Sequence, residues 1–111
     1  MDPIQKIKRI KQQILSLGPM LPGSISAQWN VCGVAGCRCK DRDNPKKHGP
    51  YYQLSFSVKG KSSSMFIQKD ALIEARRRIK RYKTFKQLSF DLIQAYVDLA
   101  RNSGINKEDS I

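Results

Sequence analysis

No apolar run in this chain approaches the length a membrane span needs. Its first turns hold Lys6, Lys8, Arg9 and Lys11 among isoleucines, in place of the apolar core of a secretory signal. A cytoplasmic protein with no membrane partner is therefore the expectation. Histidine occurs once, which leaves no spare partner for a Cys-His or Ser-His catalytic pair if that residue has another duty. Neither a GxGxxG turn nor a P-loop is present. Acids are scarce, 9 against 21 Lys and Arg. Only Asp41/Asp43 and Glu108/Asp109 stand close together, so a metal-dependent nuclease has no evident carboxylate cluster. These gaps point away from an enzyme.

What cysteine there is, three residues, is concentrated in one stretch that also holds the histidine: Cys32-x4-Cys37-x-Cys39-x8-His48. Three thiolates and an imidazole make a closed tetrahedral set for a structural zinc ion, with no ligand to spare. Gly33 and Gly36 punctuate the loop and let it turn back on one ion. The site would carry a net charge of −1, which Arg38, Lys40 and Lys47 would offset. Buried free thiols beside a turn histidine are the plainer alternative. A disulfide would leave one cysteine over and is disfavoured in a reducing compartment. A catalytic zinc would need an open position and a base, and only Asp41 and Asp43 lie near.

Around this cluster the pattern is α+β. Asp2 and Pro3 form a helix start, and Ile4, Ile7, Ile10, Ile14 and Leu17 keep one apolar stripe until Gly18-Pro19. Residues 24–31 alternate, with Ile25, Ala27, Trp29 and Val31 assigned to one face. Residues 51–58 alternate again, a turn at Lys59-Gly60-Lys61 follows, and residues 62–67 return with Met65 and Ile67 on one side. Such a small sheet needs helical cover. From Asp70 the spacing turns helical, with no Gly or Pro over 70–103. Thr84 followed by Gln87 resembles a capping box and predicts a break near Lys83, with one long helix as the alternative. The expectation is a single zinc-stabilised domain over 1–104: an N-terminal helix over 2–18, a three-stranded antiparallel sheet with its zinc-pinned loop over 24–67, and a helical pair or long helix over 70–103. Residues 105–111 read as a disordered tail.

The net charge of +12 recruits polyanions. It is densest in Arg76, Arg77, Arg78, Lys80, Arg81, Lys83 and Lys86, a stretch without an acid. Contacts of this kind hold phosphates and do not read sequence. Reading would fall to the hairpin, where Tyr51, Lys59 and Lys61 are the candidates: as a ribbon in a groove, or with Tyr51 stacked on an unpaired base. The expected partner is nucleic acid, DNA ahead of RNA. A protein partner or second copy, docked on Phe85, Leu88, Leu92, Tyr96 and Leu99, is the competing reading. A basic RNA-binding subunit of a larger assembly is a third.

Taken together, Leu21-Pro22-Gly23-Ser24-Ile25-Ser26, the Cys32–Cys39 motif, His48-Gly49-Pro50-Tyr51-Tyr52-Gln53-Leu54-Ser55, Gly60-Lys61 and Ile67-Gln68-Lys69 resemble a family of small bacterial and archaeal proteins. Its members are catalogued as a domain of unknown function and often labelled transposase-like or mobile-element-associated. The resemblance spans about residues 20–100 and implies metal ligation by Cys32, Cys37, Cys39 and His48, in a DNA-linked setting. Gln68 stands where members often carry proline, and the 40–47 loop is longer than in many.

Overall fold

The computed structural model describes residues 2–106. Its elements follow in the order α1 (Pro3–Ser16), β1 (Ser24–Asn30), β2 (His48–Val58), β3 (Lys61–Ile67) and α2 (Leu72–Ser103). The architecture is α+β, with an N-terminal helix, a three-stranded antiparallel sheet and one long C-terminal helix. The chain divides into two compact units: residues up to Met20 together with the chain from Lys80 onward, and Leu21–Ile79. Of the tail expected to be disordered, 107–111 lie outside the described residues.

The first unit is a helix pair. Asp2 caps α1 by accepting the Ile4 N–H at 2.9 Å, and Pro3 occupies the first turn, where a missing N–H costs nothing. Ile7 and Ile10 are buried, and with Ala95 they form the core of this unit. Ile14, Leu88, Leu92, Tyr96 and Leu99 pack around them. The side chain of Arg81 donates to the Pro19 carbonyl beyond the end of α1 at 3.1 Å, whereas the Lys11 ammonium lies 5.9 Å from the Tyr96 ring centre. The two helices therefore run antiparallel. Leu17, not Gly18, ends α1: it turns extended (φ −68, ψ 138) ahead of the Gly18-Pro19 step, and Gly18 does not enter the left-handed region.

The break expected near Lys83 does not occur, and α2 is continuous from Leu72 to Ser103. The Thr84 hydroxyl, expected to cap a new helix, instead donates to the Lys80 carbonyl one turn back at 3.1 Å. A threonine in mid-helix can satisfy itself this way, so a Thr-x-x-Gln spacing starts no helix unless the backbone before it is already extended.

The second unit is organised on β2, the central strand, with β1 and β3 at the edges. Gly23 leads into β1 with φ +95, and a Cβ there would collide with the Ser55 carbonyl oxygen. The β2–β3 hairpin turns through Lys59 (φ 53) and Gly60 (φ 77), a primed turn that matches the strand twist. Lys61 is already paired with Val58, so it opens β3 and is not a turn residue. Leu54 is fully buried, and Ala75 in the second turn of α2 nearly so. Of Ile25, Ala27, Trp29 and Val31, assigned above to one half-buried face, only Ile25 is half-buried: Ala27 is exposed, and Trp29 and Val31 are 55% and 49% exposed. The pairing Gln28↔Tyr51 passes directly to Asn30↔His48, so Trp29 faces two residues, Gly49 and Pro50. That bulge ends the alternation, and β1 stops at Asn30.

Candidate functional site

The bulge has a second consequence: it sets His48 as the first residue of β2, opposite Asn30. Gly49 makes this possible, since it has φ +146 and a Cβ there would lie 2.7 Å from the Gln28 carbonyl oxygen. Cys32 follows β1 by two residues. Residues 34–40 then fold into two tight turns, closed by Cys37 N–H to Val34 O at 3.4 Å and Lys40 N–H to Cys37 O at 2.9 Å. The second turn is a 3-10 helix, Arg38–Lys40, which carries Cys39 inward to 2% exposure. The Arg38 carbonyl accepts from both Asp41 N–H (3.3 Å) and Lys46 N–H (3.0 Å), so the charged loop is drawn back over its own start. Asp41 closes an Asx turn on the Asp43 N–H at 3.1 Å.

The result is the cluster that the spacing pointed to. One ligand atom each from Cys32, Cys37, Cys39 and His48 lie within 4.8 Å of one another. The Cys32 and Cys39 sulfurs are 3.6 Å apart, and the Cys37 sulfur is 3.3 Å from His48 Nε2. A tetrahedral ion with bonds of about 2.3 Å to sulfur and about 2.0–2.1 Å to nitrogen sets S···S near ~3.8 Å and S···N near ~3.6 Å. The four side chains can therefore close around one such ion with shifts of up to about 1 Å, and the thiols are free. The Cys37 thiol is brought down to about 6, first by the backbone N–H of Cys39, then by the Cys39 thiol, His48 and Cys32. Burial pushes Cys39 up, with the Cys32 backbone N–H opposing it. A metal ion reverses that penalty, because a coordinating thiol is deprotonated outright.

The basic residues divide into two groups. Arg78 donates to Glu74 one turn earlier at 3.1 Å, and Arg77 lies 3.9 Å from the same carboxylate. The acid that partners them sits just upstream of the acid-free stretch. Arg81 is engaged with Pro19. Arg76, Lys80 and Lys83, at i, i+4 and i+7 along α2, make one exposed stripe, and exposed Lys86 follows Lys83 by a further three residues. On the hairpin, Lys59 and Lys61 sit at the tip, while Tyr51 sits at the far end of β2, roughly 23 Å from Val58 at ~3.3 Å per residue. These three do not form one cluster.

The stripe of Leu88, Leu92, Tyr96 and Leu99 is used inside the helix pair, and Phe85 is half-buried. A different apolar set, Phe90, Ile93 and Val97, is exposed on α2. Its i, i+3, i+7 spacing is present in the sequence but masked by the larger stripe beside it. Phe66 is a further residue that the apolar patterns do not single out. It is 67% exposed on β3, and only its period-two position, opposite to Met65 and Ile67, marks it. No helix among the described residues is long and apolar enough to cross a membrane.

A family described as "Domain of unknown function (DUF6788)" matches residues 2–77. The Cys3His cluster and the whole sheet fall inside the match, and Lys80, Lys83 and Lys86 fall beyond it. No curated protein and no solved structure matches the chain.

Proposed function

Since the chain belongs to the DUF6788 family, whose description names no activity, its site is the guide, and we propose a non-catalytic, zinc-stabilised nucleic-acid-binding protein. The observation that carries this reading is the exposed stripe of Arg76, Lys80 and Lys83 on a protein of net charge +12. Among the described residues no carboxylate bridge engages these three, so their charge is available to phosphates. The partner we assign is DNA ahead of RNA, in the mobile-element or regulatory setting that the motif resemblance implies. Zinc is the ion that best suits three thiolates and an imidazole in a closed set. With four protein ligands no position is left for water or substrate, so its part is to tie β1 to β2.

Titration of a labelled mixed-sequence DNA duplex over a range of salt tests the reading. Binding should weaken as salt rises, and Arg76→Gln/Lys80→Gln/Lys83→Gln should flatten the log–log slope by about 0.9 for each phosphate no longer neutralised. No binding at low salt, or equal slopes for the two proteins, would refute it. A second reading, a protein-interaction subunit, is favoured by Phe90, Ile93 and Val97 exposed in one row. A duplex-binding monomer in light scattering removes the need for it.

A further inference from the structure

We infer that the open end of the sheet is a stacking platform for an unpaired base of single-stranded nucleic acid, built from Tyr51 and Phe66. The inference rests on the nucleic-acid reading above and names the form of polymer that the sheet would take.

Phe66 pairs with Gln53 across β2–β3, and Tyr51 lies two residues from Gln53 on the same face. The two rings are therefore diagonal neighbours, within reach of one aromatic plane. Both are open, at 67% and 45% exposure, although a strand aromatic normally gains its stability by being covered. They line a cleft of about 340 Å³ shared with Pro50 and Lys69. That size lies at the small end of ligand pockets and suits one planar group in place of a helix or folded segment.

Much of the rest of the face is tied up in side-chain hydrogen bonds. The Gln28 side-chain amide donates to Gln53 Oε1, the Gln53 amide donates to Ser64 Oγ at 2.9 Å, and Ser57 and Ser62 share a bond of 2.8 Å. A chain of side-chain hydrogen bonds thus crosses all three strands and holds Gln53 between the rings and the serines. Covering such a face leaves few groups unpaired, so the occupant gains mainly by stacking on the two rings. Charge decides which planar occupant fits. Lys69 borders the cleft, and the protein carries +12, which favours a base attached to a phosphate chain over a neutral ring. With the Gln53 amide held in the network, stacking dominates over edge reading, and binding should be tolerant of sequence.

The test uses the full chain with its metal and three fluorescein-labelled probes: a mixed-sequence single strand, the same strand made abasic at its central positions, and a duplex. Base–aromatic stacking predicts that the intact strand binds about 5- to 150-fold more tightly than the abasic one per stacked base. Phe66→Ser and Tyr51→Ser should each erase much of that ratio while leaving abasic-strand and duplex binding in place. Phe66 is exposed, so its replacement should not unfold the sheet, and amide-exchange protection retained over β2 and β3 in each variant reports this directly. Equal affinity for intact and abasic strands, or a ratio unchanged in both variants, would overturn the inference while leaving the phosphate-binding reading intact. Failure of every probe to bind at low salt would overturn both. Dimerisation that Phe66→Ser abolishes, without any preference for the intact strand, would identify a second copy as the occupant and also overturn it.

Discussion

On the zinc proposal, removing the metal should unfold the cluster loop and loosen the β1–β2 pairing while the helix pair stays folded. The loop over 31–47 contributes a single buried residue, Cys39, and no strand. Ordering each of its residues costs about 1–2 kcal/mol in backbone entropy, which burial of one thiol cannot offset. Loops of this length without their own core are uncommon unless something ties them down. A structural zinc site contributes an apparent ~10–16 kcal/mol in small zinc-folded peptides, as large as the ~5–15 kcal/mol that stabilises a whole domain. The helix pair has its own cluster of Ile7, Ile10 and Ala95 and no part in the site. Amide exchange by mass spectrometry, before and after a strong zinc chelator, would therefore show protection lost over 31–50 and weakened over β1. Protection over α1 and the second half of α2 would remain. His48→Ala and Cys37→Ser should behave like the chelated protein and lose stoichiometric metal. Retention of one equivalent of metal in both variants would refute the ligand set. Unchanged protection of the loop after chelation would refute the claim that the metal orders it.

Gly49→Ala should destabilise the sheet unit by at least about 1–3 kcal/mol, because φ +146 disfavours a Cβ that would also press on the Gln28 carbonyl. Zinc affinity should fall with it as His48 is displaced, and a thermal melt paired with a metal-competition titration would show both. Thr84→Ala should raise stability by roughly 0.5 kcal/mol through helix propensity, whereas loss of a true N-cap would lower it by about 1 kcal/mol. The sign of the change in melting temperature separates the continuous helix from a broken one. In metal-free protein, where the cluster loop has opened, iodoacetamide should alkylate Cys32, Cys37 and Cys39 at comparable rates, and the metal-loaded protein should resist it. Mass spectrometry showing one thiol still strongly preferred after metal removal would contradict the opening of the loop.

Much of the architecture was legible because it is written in short-range patterns. The Asp2-Pro3 start of α1, the period-two runs on either side of Lys59-Gly60 and the metal-ligand spacing each depend on neighbours a few residues apart. Local sterics and hydrogen bonding settle such features. The Thr84 pattern misled for the same reason: its short-range signal is ambiguous between capping forward and bonding back to Lys80, and the apolar stripe of the continuous helix decides between them.

The amino-acid sequence by itself determined that this protein is a small α+β chain with a Cys3His cluster and a dense basic stretch. Composition, periodicity and spacing contain that information without reference to partners far along the chain. Tertiary structure alone decided how those pieces are used. It placed a bulge at Gly49-Pro50, opposite Trp29, so that His48 heads a strand opposite Asn30. It engaged Arg81 with the Pro19 carbonyl, which together with the local Glu74–Arg78 pair leaves Arg76, Lys80 and Lys83 as the open stripe. It also separated Tyr51 from Lys59 and Lys61 and brought it diagonal to Phe66. Register and coverage depend on which distant residue arrives opposite, and pairwise packing across strands and helices sets that only once the chain has folded.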